Sequence, residues 1–271
     1  CCDPLHQISS LAPVAVPPAA PPTGSQHHPP VPWCGIIRAG SGVGGVGDGV
    51  GALKAYHDLI LGYEAQNAIA GMVHPSVDVV KAALDAGNID IFGMTAGHET
   101  DDRIEGHRSW INYALQNNPN ITIFIAIPQI DFPADWEERA QEYGFNTIQE
   151  LYDYFVNDIV HNEMVDILSI EFPFTKIFTI PTGWTSVNLD QMNINNELLD
   201  DITRFGPQPT SLFVDNKGHQ GDIIRETGSL LWLNNIYGVD LSTFSYETGF
   251  NTDLHEIAKQ ISDSHDSNYK F

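Results

Sequence analysis

Residues Ile89–Pro128 read IDIFGMTAGHETDDRIEGHRSWINYALQNNPNITIFIAIP, and their order decides the fold. Two runs, Ile89–Thr95 and Ile121–Pro128, are almost continuously apolar, as strands buried on both faces are. Between them Asp101 or Asp102 is placed to open a helix, and Asn118-Pro119 to close it. Strand, amphipathic helix and strand in that order predict a parallel sheet covered on both sides.

The alternation continues in both directions. Upstream, HPSVDVVKAALDAGN has Ser76 as an N-cap, Val77, Val80 and Leu84 on one face, and Gly87 as a stop. Downstream, a long helical region from Thr147 to Leu168 precedes the strands KIFTIP and SLFV and a helix over Asp222–Tyr237, and GFNTDLHEIAKQI reads as a capped terminal helix. No internal repeat is visible. The fold class expected is α/β, a three-layer α/β/α sandwich around a parallel sheet, with the main domain over residues 51–271.

Residues 1–50 differ in kind. Cys1–Cys34 carry 9 of the 17 prolines, and Gly35–Gly51 contain eight glycines, so this stretch predicts a weakly structured, extended leader with no core of its own. All but two of the 35 acidic residues lie beyond Val50. The formal charge of −23 argues against nucleic acid and against a polybasic membrane contact. It leaves an acidic surface that serves solubility or selects a cationic ligand. Cys1, Cys2 and Cys34 form neither a disulfide framework nor a zinc site. A chain beginning at cysteine looks like a lipoprotein cut at its lipid-modified residue, which implies a secreted or periplasmic protein anchored through Cys1. No apolar run approaches the roughly 20 residues of a membrane span.

In a parallel sheet the chemistry collects where strands end at their carboxyl edge. Ser41 follows IIRAG, Gly71 follows the stretch YEAQNAI, His98 and Glu99 follow IDIFGMTA, and Asp215 and His219 follow SLFV. A serine, glycine-lined turns and an Asp/His pair are the parts of an acyl-transfer site. A base takes the serine proton, an acid orients the imidazole, and N–H groups hold the oxyanion.

On these residues the chain resembles the SGNH, or GDSL-like, hydrolases, flavodoxin-like α/β esterases whose motifs occur in the same order, over roughly Ile36–Tyr237. NAIAG resembles the second block, IDIFGMTAGHE the third, and FVDNKGH before a helix the last. The resemblance implies Ser41 as nucleophile, His219 as base, Asp215 as its orienter, and Gly71 and His98 as oxyanion donors, with no cofactor and no metal. The chain departs from the pattern in three places. Ala39-Gly40-Ser41 stands for Gly-Asp-Ser, Gly97-His98-Glu99 stands for Gly-x-Asn, and Asp215 lies four residues before His219 instead of three.

Each feature also has a plainer use: a turn for Ser41, a helix cap for Asp215 and His219, core packing for Trp110 and Trp184. GHETDDRIEGH holds divalent-metal ligand types but also suits an acidic helix N-terminus. The expected function is a serine ester hydrolase acting on a small-molecule or carbohydrate ester, with acyl or acetyl groups as its targets. The alternatives are a non-catalytic binding or assembly module on the same sheet, and a metal site at His98, Glu99 and Asp101.

Overall fold

The computed structural model describes residues 35–38, 75–96 and 104–271. The elements are β1 (Gly35–Arg38), α1 (Pro75–Asp85), β2 (Ile89–Thr95), α2 (Glu105–Asn117), β3 (Thr122–Ala126), α3 (Trp136–Glu142) and α4 (Ile148–Tyr154). A π-helical segment (Phe155–Val165) joins α4 to α5 (Asp166–Glu171). There follow β4 (Ile177–Ile180), α6 (Gly183–Ile194), β5 (Thr203–Phe205), β6 (Ser211–Phe213), α7 (Asp222–Tyr237) and α8 (Leu254–Ser264). The protein is a mixed α/β fold with a small, mainly parallel sheet.

The sheet order is β1-β2-β3-β4, with β2, β3 and β4 parallel. The edge strand β1 runs antiparallel to β2, where an all-parallel sheet was expected, and four residues of the Gly-rich leader thereby join the sheet. The strand predicted at SLFV forms too, but it pairs with β5 in a separate two-stranded sheet. The predicted N-cap Ser76 lies inside α1, which begins one residue earlier at Pro75, the position where a missing N–H is harmless. Among the described residues no helix is long and apolar enough to cross a membrane.

Residues paired in register point to the same side of a sheet, and neighbours along a strand point to opposite sides. Gly93, Phe124 and Phe178 therefore share one face, and Phe92 and Ile123 share the other. Trp232 of α7 meets Phe124 edge-on at 5.2 Å, while Trp110 of α2 meets Phe92 at 6.2 Å. A side chain at Gly93 would drive its Cβ to 2.0 Å from the Phe124 ring, so glycine is what lets the ring lie against the strand. The core around these residues is almost wholly apolar: Phe92, Ile123, Phe124, Ile125, Phe178 and Ile180 are all at least 99% buried.

Local signals set the helix ends. Thr147 accepts the N–H of Glu150 at 3.2 Å, and the Glu150 carboxylate takes the N–H of Asn146 at 2.7 Å, closing the start of α4 from both sides. Asp253 caps α8 in the same way through the Glu256 N–H. Gly238, with φ +64°, ends α7 in the left-handed conformation.

Candidate active site

Strand β6 runs out at Phe213 into the turn Val214–Gln220, and α7 starts at Asp222. The Val214 N–H donates to the His219 carbonyl at 2.8 Å, and a bridge between Phe213 and Gln220 closes the base of the turn. Within it, Asp215 Oδ1 accepts the backbone N–H groups of Gly218 at 3.1 Å and His219 at 3.2 Å. Gly218 has φ +98°, a conformation that suits glycine, and a Cβ there would come within 2.8 Å of the Gln129 amide.

This local fold brings the two side chains together. His219 Nδ1 donates to Asp215 Oδ2, which fixes the imidazole with its proton on Nδ1. The other ring nitrogen, Nε2, is buried and has no hydrogen-bond partner among the described residues. About a third of the His219 side chain is exposed, 32%, and 45% of Asp215. Partial burial works to raise the Asp215 carboxyl. The hydrogen bonds from His219 and Gly218 and the attraction of the imidazole outweigh it, and hold the group below the usual carboxylate range. Asp215 is therefore an anion at neutral pH, placed to orient an imidazole whose Nε2 is available.

The turn is braced from behind by residues the sequence reading passed over. The loop after β3 carries Gln129, 2% exposed, whose amide donates to the Gly218 carbonyl at 2.5 Å. The Ser186 hydroxyl of α6 donates to Gln129 Oε1, and Gln220 reaches the same oxygen at 3.1 Å and the Ser186 hydroxyl at 3.3 Å. The Phe132 N–H donates to the Lys217 carbonyl at 3.1 Å from a left-handed backbone with φ 58°. Arg204 holds the loop as well, donating to the Pro133 carbonyl and to both carboxylate oxygens of Asp190. A signal was available: Gln129 and Asp131 are polar residues placed immediately after an apolar strand, where site residues collect.

Of the residues singled out in the sequence, the structure brings Asp215 and His219 together. Ser41, Gly71 and His98 lie outside the described residues, as do Glu99, Asp101 and Asp102. Of the remaining metal-ligand types in that stretch, Glu105 is paired with Arg108, and His107 is buried with its Nε2 2.9 Å from the Thr95 carbonyl. Among the described residues no three His, Cys, Asp or Glu side chains are grouped to hold a metal ion. Trp110 and Trp184 do not form one aromatic surface: Trp110 packs on Phe92, whereas Trp184 stands edge-on to Tyr152 at 4.9 Å.

A second polar cluster is buried at β4. The Thr179 hydroxyl lies 3.0 Å from His161 Nε2 and 2.8 Å from His265 Nε2, so one hydroxyl serves two imidazoles. His161 sits on the π segment, stacked on Tyr269 at 3.7 Å. Burial, reinforced by His265, pushes His161 down to about 3, and burial with the charge of Lys270 pushes His265 down to about 4, despite the opposing pull of Asp266 on both. Both rings are neutral at neutral pH.

Set against protein-family models, curated proteins and solved structures, the chain finds no match in any of the three.

Proposed function

We propose that this chain is a serine ester hydrolase of the SGNH type, acting on acyl or acetyl esters, those on carbohydrates included. The observation that carries the reading is the His219 ring: Nδ1–H on the Asp215 carboxylate, and Nε2 buried without a partner among the described residues. Among the described residues His161 Nδ1 and His255 Nε2 are also buried without a partner, so what sets His219 apart is the carboxylate on its opposite ring nitrogen. A general base needs that arrangement.

In the proposed reaction Ser41 Oγ attacks the ester carbonyl carbon as its proton passes to His219 Nε2. Asp215 stabilises the imidazolium that forms. The N–H of Gly71 and the side chain of His98 donate to the oxyanion. As the carbonyl re-forms, the alcohol leaves with the proton from Nε2, and water, activated by the same nitrogen, then releases the acid from Ser41. The fold reading that accompanies this is the three-layer, flavodoxin-like one. It is supported by Trp110 and Trp232 meeting side chains that point to opposite sides of the sheet.

The test is hydrolysis of p-nitrophenyl acetate and butyrate by the full chain and by His219→Ala, with and without a serine-directed fluorophosphonate. Turnover that needs His219, together with a phosphonate adduct on Ser41, supports the reading. Absence of both turnover and adduct leaves a binding module built on the same sheet.

A further inference from the structure

Two adjoining cavities lie beside α6, and none of their lining residues belongs to the Asp215–His219 turn. The smaller, about 260 Å³, is walled by Asp153, Asn157, Trp184, Asn188, His265 and Asp266 among others. The larger, about 580 Å³, opens between α4, α6 and α8, and carries Gln149, Gln191 and Gln260 together with Glu197, Asp253 and Glu256. Asn188 lines both, and the two adjoin at its side chain to make a groove along α6.

The chemistry of the lining selects a ligand class. Among the described residues neither cavity is lined by a lysine or an arginine, and the one histidine, His265, is 7% exposed and neutral, with Nε2 held by Thr179. Phosphates, carboxylates and sulfates therefore meet two acids in the smaller cavity or three in the larger, with no counter-charge among the described residues, and are rejected. What remains is a wall rich in primary amides and carboxylates, with one aromatic face. Asn188 is half-buried and its side chain makes no hydrogen bond among the described residues, leaving both a donor and an acceptor open to the groove. A simple ammonium ion satisfies carboxylates but cannot accept from an amide N–H. A hydroxyl satisfies both, and takes either role toward His265. The smaller cavity falls just below the ~300–1,000 Å³ of pockets for drug-sized ligands, so it holds one ring, and the larger one accommodates neighbouring rings.

We propose that this groove binds a neutral oligosaccharide, with one pyranose ring against Trp184 in the smaller cavity, its hydroxyls on Asp153, Asp266 and Asn188, and the following units along Gln191 and Gln260. The groove shares no lining residue with the Asp215–His219 turn, and its ligand does not depend on ester cleavage.

The experiment is calorimetric titration of the full chain with neutral tetrasaccharides of glucose (α and β linked), galactose, mannose, xylose and N-acetylglucosamine, with tetramethylammonium and acetate as controls. Saturable binding of at least one tetrasaccharide is expected, weakened tenfold or more in Asn188→Ala and in Trp184→Leu, and unchanged in His219→Ala. Asn188→Asp, isosteric with the native residue, removes the amide donor and reports on the same contact if Asn188→Ala fails to fold. Binding of no tetrasaccharide, binding of tetramethylammonium alone, or glycan binding that survives both Asn188 and Trp184 changes overturns the proposal. Because His219→Ala is read in parallel on an ester substrate, loss of the glycan site and loss of the hydrolase reading give different results.

Discussion

His219 stands at the end of β6 with its Nδ1 on a carboxylate and about a third of its side chain exposed, whereas His161 and His265 lie buried on either side of one threonine hydroxyl. The difference is made by the partner. A carboxylate anchors one nitrogen and stabilises a positive ring, so the second nitrogen can take up a proton during a reaction. A hydroxyl offers hydrogen bonds but no charge, and burial then keeps both rings neutral far below the usual histidine range. The first environment suits the proposed base, and the second makes a piece of polar core.

The largest effect that could break this contrast is kinetic. His219→Ala is expected to lower kcat for ester hydrolysis on the order of 10⁴-fold or more, and Asp215→Asn on the order of 10⁴-fold, since the amide no longer holds the base in the right tautomer. Steady-state kinetics on p-nitrophenyl acetate measures both. Equal activity in wild type and Asp215→Asn removes the base from the account. Neither His161 nor His265 should behave in this way.

Next comes acid stability. Unfolded histidine titrates near 6.5, and the folded rings titrate near 3 and 4, so below about pH 6.5 the unfolded chain takes up protons that the folded one refuses. The stability these neutral rings contribute is present above pH 6.5 and is lost as pH falls toward 4, on the order of 3 kcal/mol per histidine. Asp215, held low, loses its contribution only below the ordinary carboxylate range, so the two windows separate. Urea unfolding at pH 7, 5.5 and 4.5 should show the decline, and His161→Phe/His265→Phe should flatten it. An equally steep decline in the double variant would assign acid sensitivity to other groups.

Smaller effects sharpen the contrast. Gln129→Leu strands the Gly218 carbonyl and the Ser186 hydroxyl, which costs about 1–3 kcal/mol in unfolding free energy. It should also lower kcat more than it raises KM, because the turn that aims His219 loosens. Thr179→Val leaves two buried imidazoles without their shared partner, again about 1–3 kcal/mol, with no effect on kcat. Thr179→Ser keeps the hydroxyl and deletes one methyl, so the loss should be about 1 kcal/mol and the acid profile should keep its shape.

Much of this was legible in the sequence where apolar periodicity was strong. The helix over Asp222–Tyr237 forms with those bounds, and the strands at IDIFGMT, ITIFIAIP and KIFTIP all appear. Asp215 and His219 were legible because a strand, a glycine turn and a helix follow one another there. Helix α6 was not, and the reason is physical. Thr185, Ser186 and Asp190 are buried on it, so polar atoms occupy positions where the helical pattern asks for hydrocarbon. They are satisfied from outside the helix or across it: Ser186 by Gln129, Asp190 by Arg204, Thr185 by the Thr182 carbonyl. Gln129 was marked by its place after an apolar strand, but its partner was not, since nothing in ITIFIAIPQID says that its amide turns to a loop 89 residues away. The π segment leaves no mark either, because one extra residue in a turn shifts the apolar stripe without erasing it.

The contact between Gly93 and Phe124 has a consequence for how this sequence can change. With the ring lying where a Cβ would stand and Trp232 edge-on against it, positions 93 and 124 are no longer independent. A relative that gains an alanine at 93 has to carry a smaller or differently shaped residue at 124, and one that keeps the phenylalanine has to keep the glycine. Drift along this lineage is thus channelled through paired replacements at the sheet centre, and Gly93→Ala should become tolerable only in company with Phe124→Leu.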